Sequence, residues 1–449
     1  MLTELSLENF KSWKKIDRMR LAPITGLFGA NSSGKTSILQ LLLMLKQTVE
    51  SPDRAQVLNF GDEKTPANLG SFQDAVYGHD TALPLKWRVR WATSDELRVT
   101  EPDDPSKELL SDKRFGFESE VRYEANRLAV LKMAYYFAGQ EFVLGRGQEA
   151  GGEYSLRNEG GDFTFRRTQG RPWGLPGPVK CYGFPDQVKA RFQNADFLAD
   201  LQLAFEQCFT RLYYLGPLRE YPKRNYPWPG AEPADVGPRG ENVVNALLAA
   251  KERGVRTGKG RRTLEQHIAR WLKNLGLIHD FSLERIATDS NLYRVRVKKT
   301  PTSAEVLITD VGFGVSQILP VLVLCYYVPE GSTVILEQPE IHLHPSVQAG
   351  LADVFVDAVA RRKIQVVFES HSEHLLRRLQ LRVAEEKLQP ENVALYFCEM
   401  QNGESGLSPL EIDLFGNIRN WPKDFFGDQF GEMAAMTQAA MDRKASAGQ

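Results

Sequence analysis

The chain has 449 residues, 42% hydrophobic and 25% charged, with a formal net charge of -1. These figures describe a large folded protein of one or two domains; they exclude a disordered chain and a fibre, and an overall charge near zero does not favour a dedicated nucleic-acid binder. Four cysteines, Cys181, Cys208, Cys325 and Cys398, lie far apart with no C-x-x-C pair, so reduced thiols are expected rather than a disulfide framework or a zinc ribbon. The longest apolar run, Ile318 to Val328, contains Pro320 and is too short to cross a bilayer, and the amino terminus lacks a charged-then-apolar leader. A cytoplasmic protein with no membrane partner is the expectation.

In chain order, the first strong element is an apolar strand run, Ile24 to Phe28, followed by Gly29-Ala30-Asn31-Ser32-Ser33-Gly34-Lys35-Thr36 and a helical pattern from Ile38 to Leu45. This is a complete G-x-x-x-x-G-K-[ST] loop, a nucleotide phosphate cradle. Its glycines let successive N–H groups point at phosphate oxygens, Lys35 reaches the β/γ-phosphates, and the Thr36 hydroxyl can ligate Mg²⁺. Residues 84 to 170 alternate apolar and polar positions, as in Trp87-Arg88-Val89-Arg90-Trp91, with Gly-Gly breaks at 151–152 and 160–161. That pattern predicts a β-meander.

Helical patterns follow at about 186–209 and 242–275, separated by a Pro-rich loop from Leu215 to Pro238 that carries Arg219, Lys223 and Arg224, which could meet phosphate or a partner. No heptad run is sustained, so no coiled-coil arm is expected. Lys251, Arg253, Arg256, Lys259, Arg261, Arg262, Arg270 and Lys273 stand against Glu252 and Glu265. A nucleic-acid backbone contact and a solvated charged face both account for that run.

Further on, Val334-Ile335-Leu336-Glu337 reads as a Walker B strand ending in a carboxylate, followed by Gln338-Pro339-Glu340 and Ile341-His342-Leu343-His344-Pro345. Glu337 would hold Mg²⁺ through water at the carboxyl edge of a parallel sheet. A second strand run, Ile364 to Phe368, ends in Glu369-Ser370-His371-Ser372-Glu373-His374. From there His371 can reach a γ-phosphate.

Together these segments resemble the ABC-type ATPases of the RecF, SMC and OLD group. The opening Leu5-x-Leu7-x-Asn9-Phe10-Lys11-Ser12, the cradle, the E-x-P-E-x-H-L-H-P run and the S-H-S-E-H-L strand end carry the likeness. The tail from Glu411-Ile412-Asp413 through Gly416-Asn417-Ile418-Arg419-Asn420-Trp421-Pro422 to Phe425-Phe426 and Gln429-Phe430 is similar to an uncharacterised bacterial subfamily of these ATPases. The resemblance implies an α/β fold: a P-loop ATPase head with a mixed sheet flanked by helices and a globular β-rich and helical insert. The expected division is 1–83 for the lobe with the cradle, 84–300 for the insert, 301–400 for the second lobe and 401–449 for the tail.

ATP and Mg²⁺ are the implied cofactors. Such ATPases carry a signature helix that caps the nucleotide of a second subunit, and Asp310-Val311-Gly312-Phe313-Gly314-Val315-Ser316-Gln317 is the candidate here. Aligned on Gln317, it sets Gly312, Gly314, Ser316 and Gln317 against the partner's phosphate, in a register open by one or two positions. Gln73, in Leu69-Gly70-Ser71-Phe72-Gln73-Asp74, stands where a metal-ligating Q-loop glutamine would stand. Gln338 occupies the place of the usual water-activating glutamate. An amide cannot take a proton, so Gln338 would only orient water while Glu340 or His371 handles the proton, and slow hydrolysis is expected.

One cradle and one signature per chain imply a homo-oligomer that sandwiches ATP. The tail after His371 has no evident nuclease or TOPRIM acidic cluster, so an effector such as a nuclease is expected on a partner chain, with defence against phage or mobile DNA as the implied setting. Three other readings stay open: a repair clamp of RecF type, an ATP-bound scaffold without turnover, and a metallophosphoesterase or nuclease built on the histidines, although their spacing fits no H-E-x-x-H helix.

Overall fold

The computed structural model describes residues 1–101, 103–147, 152–169, 174–254, 256–257, 262–422, 425 and 429–447. Its central sheet has six strands in the order Glu404–Leu410, Val393–Gln401, Ile24–Gly29, Gln365–Glu369, Thr333–Glu337, Leu212–Leu215. All neighbours are parallel except the Glu404–Leu410 edge. The cradle strand Ile24–Gly29 thus has later strands on both sides. It is the topological switch point, beyond whose carboxyl end an open α/β sheet leaves a crevice.

These strands read as continuous apolar runs because both faces are covered. Leu27, Ile335 and Val367 pack on one face with Leu39 and Leu42 of the cradle helix, Lys35–Glu50, and with Trp87, Trp91 and Phe117 of the meander. Ile24, Phe28, Val334, Leu336, Val366 and Phe368 pack on the other, against Leu319 and Leu322 of the helix Phe313–Tyr327 and Leu351 and Phe355 of the helix Pro345–Arg362. Each such side chain contributes about 1.5–3 kcal/mol of burial. Pro320 sits inside the Phe313–Tyr327 helix, the apolar run of the sequence, which is a core helix here. No helix among the described residues is long and apolar enough to cross a membrane.

The expected meander forms, and it is part of a larger layer. Strands 85–101, 104–124, 127–137, 140–146 and 154–159 continue antiparallel from the amino-terminal hairpin, Leu2–Phe10 and Trp13–Arg20, as one seven-stranded sheet. A buried polar side chain of the central sheet, Gln365, ties this layer to it, and a second, Lys180, ties the segment after the meander to the cradle helix. Gln365 donates to the main-chain oxygens of Leu2 (2.7 Å) and Ala22 (3.0 Å) and accepts from Leu2 N–H and the Thr333 hydroxyl, both at 3.0 Å. Lys180 donates to the carbonyls of Thr48, Val49 and Ser51, satisfying acceptors that the end of the cradle helix leaves open.

The helical patterns resolve into Gln187–Arg191, Phe197–Thr210, Val243–Glu252 and Leu264–Asn274. Within the basic segment, Lys259 and Arg261 lie outside the described residues. Lys251 pairs with Glu265 at 3.1 Å and Arg253 with Glu232 at 2.6 Å.

Gln365→Leu should destabilise the protein by roughly 2–4 kcal/mol, because it leaves the Leu2 amide and two carbonyls buried without partners. Urea unfolding should show a lower midpoint at unchanged slope.

Candidate functional site

The cradle is shaped by backbone that side chains cannot follow. Gly29 has φ +139° and Gly34 φ +89°. A Cβ on Gly29 would lie 2.0 Å from the Cys398 carbonyl oxygen, and one on Gly34 would lie 2.5 Å from Ser405 Oγ. Trp13 Nε1 donates to the Gly34 carbonyl at 2.9 Å and pins the loop from the side of the amino-terminal hairpin. Asn31 and Ser32 are exposed on the outer turn, whereas Ser33 and Lys35 are buried. The Lys35 ammonium donates to the carbonyls of Gly29 (3.1 Å) and Ala30 (2.6 Å). Burial lowers its pKa, with nearby Glu369 opposing the shift.

Beside the cradle, three carboxylates are buried at the ends of two adjacent strands. Glu337 and Glu369 are register partners. Glu337 Oε1 accepts from the Tyr214 hydroxyl at 2.9 Å, and Glu369 Oε2 accepts from Thr36 Oγ1 at 2.7 Å. Burial, and then Glu369, pushes the Glu337 carboxyl up to about 7; burial likewise raises Glu369. Glu340 is 6% exposed and also raised by burial; its Oε1 accepts from the His371 amide at 2.7 Å, and its Oε2 has no partner. Gln338 sits between them at φ +42°, its N–H donating to the Glu369 carbonyl at 3.1 Å. His371 is exposed, and partial desolvation and then Lys35 hold its imidazole below the usual range.

This donor set fits Mg²⁺. Oxygen ligands alone converge, one hydroxyl and two carboxylates whose charges burial makes unfavourable until a hard cation compensates them. Thr36 and Glu337 would hold the ion, with Glu369 behind the threonine hydroxyl.

Not every residue singled out in the sequence reaches this cluster. Gln73 is exposed on a four-residue helix, Phe72–Ala75, closed by a Ser71–Asp74 capping box; among the described residues it shares no hydrogen bond with Thr36 or Glu337. Gly312 is the N-cap of Phe313–Tyr327 and is exposed, as is Phe313, while Ser316 and Gln317 are buried one turn in, with Ser316 Oγ bonded back to the Phe313 carbonyl. The helix's open N–H groups are therefore those following Gly312. His344 caps Pro345–Arg362 by accepting from Ser346 N–H, and no group of three or more His, Cys, Asp or Glu among the described residues is placed to hold a metal by itself.

Glu369, Tyr214 and Arg219 belong to the site, yet none carries a motif that marks it. Glu369 ends a strand as Glu337 does, and that position was its signal. Tyr214 and Arg219 come from the edge strand and loop some 120 residues earlier, brought there only by parallel pairing with Thr333–Glu337.

Residues 250–377 match the family described as "AAA domain, putative AbiEii toxin, Type IV TA system", and residues 388–436 match "Protein of unknown function (DUF3696)". A search of curated proteins finds no match. Among solved structures, the chain is similar to an SMC head bound to the C-winged helix domain of ScpA (10% identity, TM-score 0.47, 92% of this chain and 98% of that one). It is also similar to the SMC head domain from Thermotoga maritima (11%, 0.41, 92% and 99%) and to an Smc head with an extended coiled coil bound to the C-terminal domain of ScpA, derived from Pyrococcus furiosus (10%, 0.43, 91% and 96%). At these values the structural likenesses carry no statement about activity.

The Glu337 pKa yields a test. A carboxyl at about 7 when folded, against 4.5 as its reference, contributes stability that is present below about pH 4.5 and lost as pH rises to 7. Nucleotide-free Glu337→Gln should therefore be more stable than wild type by roughly 1–3 kcal/mol at pH 8, with the difference shrinking near pH 5. Urea unfolding at the two pH values measures this; an equal difference at both would show an ordinary carboxylate.

Proposed function

We propose that this ABC-type P-loop ATPase head binds ATP with Mg²⁺ in the 29–36 cradle, pairs with a second copy across the nucleotide, and hydrolyses slowly to switch a partner effector. The observation that carries the proposal is the convergence of Lys35, Thr36, Glu337 and Glu340 at one end of a parallel sheet while Gly312 and Phe313 open a separate helix N-terminus to solvent. That N-terminus shares no hydrogen bond with the cradle among the described residues. A helix start with free N–H groups takes an anion, and a second copy supplies one in its bound nucleotide.

In the hydrolytic step Lys35 and the cradle amides hold the β- and γ-phosphates. Thr36 and Glu337 would hold Mg²⁺, which would supply positive charge against the phosphate oxygens. Gln338 orients a water for attack on the γ-phosphorus; the P–O bond to ADP breaks and the water's proton passes to Glu340, whose Oε2 is free to accept it. The His371 amide keeps Glu340 in place through its other oxygen.

The AbiEii-type match over 250–377 supports a setting in bacterial defence, with the effector, such as a nuclease, on another chain. The paired states of Lys251 and Arg253 support a solvated face more than a nucleic-acid track.

Phosphate release from wild type should exceed that from Lys35→Ala, Gln338→Glu should be similar or faster, and Glu340→Gln should be slower by roughly 10². Wild-type release equal to the Lys35→Ala background would leave an ATP-bound scaffold. Separately, ATP with Mg²⁺ should promote pairing by light scattering. Gly312→Arg, at a position with no atom within 4 Å of an added Cβ, should prevent pairing while leaving calorimetric ATP affinity unchanged.

A further inference from the structure

Arg219 follows the edge strand Leu212–Leu215 and reaches over the end of Thr333–Glu337. It is 6% exposed. Its Nη2 lies 3.5 Å from the main-chain oxygen of Glu337, and its Nε and Nη1 have no partner. Burial pushes its pKa down to about 10, against the raising influence of Tyr214, Glu337 and Glu340. Each buried donor left idle costs stability, so stability alone does not explain a guanidinium here. An apolar side chain of similar volume would avoid that cost.

The loop that carries it is anchored on both flanks. Gly216 N–H donates to the Pro238 carbonyl and Glu220 N–H to that of Arg239, both at 2.8 Å. Just beyond, Tyr221 meets the Phe313 ring edge-on with centroids 5.6 Å apart, and Arg224 pairs with Asp310 at 3.3 Å. Arg219 therefore sits on a short strap between the buried carboxylates and the exposed helix start at Gly312. Glu340 is within its electrostatic reach, but the two make no ion pair within 4 Å among the described residues, and Glu340 Oε2 is itself buried without a partner.

We propose that Arg219 is a positioning residue for ATP hydrolysis: it braces the Glu337 carbonyl, and with it the left-handed turn at Gln338, and holds a fixed positive charge facing Glu340. The inference rests on the hydrolytic reading above. The strained turn needs such a brace, since a non-glycine residue at positive φ persists only when its surroundings hold it there. Lysine does not replace arginine at this place: it supplies the charge without the planar fork that reaches a carbonyl and leaves donors over.

The test uses the full chain with ATP and Mg²⁺. Arg219→Met should bind ATP within about threefold of wild type by calorimetry and still pair in light scattering, while phosphate release falls about 10²-fold in kcat with KM little changed. Arg219→Lys should recover only part of the rate. Arg219→Met turnover within twofold of wild type, or a loss of ATP affinity that matches the loss of turnover, would overturn the assignment. If Arg219→Met does not fold, Arg219→Lys decides, and wild-type turnover in it overturns the brace. Wild-type release no greater than Lys35→Ala would instead remove the hydrolytic reading and this one with it, an outcome distinct from an active wild type with an indifferent Arg219.

Discussion

The burial of Glu337, Glu340 and Glu369 at the ends of two adjacent parallel strands is the constraint around which the rest of the site is arranged. Neighbouring strands lie about 4.8 Å apart, so register partners such as Glu337 and Glu369 cannot both ionise in the interior without compensation. Each neighbour answers that charge in part. Thr36 donates to Glu369, Tyr214 to Glu337 and the His371 amide to Glu340; Lys35 and Arg219 contribute positive charge from opposite sides. The site is thus a half-compensated cluster.

That cluster depends on sheet order. With Gln365–Glu369 between the cradle strand and Thr333–Glu337, the cradle's threonine meets the middle strand's Glu369 and not Glu337. The edge strand Leu212–Leu215 lies beyond Thr333–Glu337 and sends Tyr214 and Arg219 in from the far side. The seven-stranded layer acts on the same point from outside, through Trp13 on Gly34 and Gln365 on Leu2. A protein whose cradle helix is clamped at its start by one layer and at its end by Lys180 has little freedom there.

Burial also separates residues that proximity in sequence groups together. In 312–317 the glycine and phenylalanine face water while Ser316 and Gln317 face the core, because the helix begins at Phe313 and a turn advances 3.6 residues. Of two exposed histidines, His344 caps a helix and His371 stands within electrostatic reach of Lys35. Spacing along the chain does not distinguish such fates; the direction of the helix start does.

What the sequence determined by itself are the features that rest on local chemistry. The cradle is legible because positions 29 and 34 need the dihedrals that glycine tolerates, the parallel strands because both-sided burial demands unbroken apolar runs, and the meander because one-sided burial demands alternation. Gln338 stands out because an amide replaces an expected acid. Tertiary structure alone decided which carboxylate meets Thr36, that the amino-terminal hairpin and the meander form one sheet, and that Tyr214 and Arg219 complete the site. Those facts follow from the order in which strands pair, a choice made by contacts between residues hundreds of positions apart, for which no single segment carries a code.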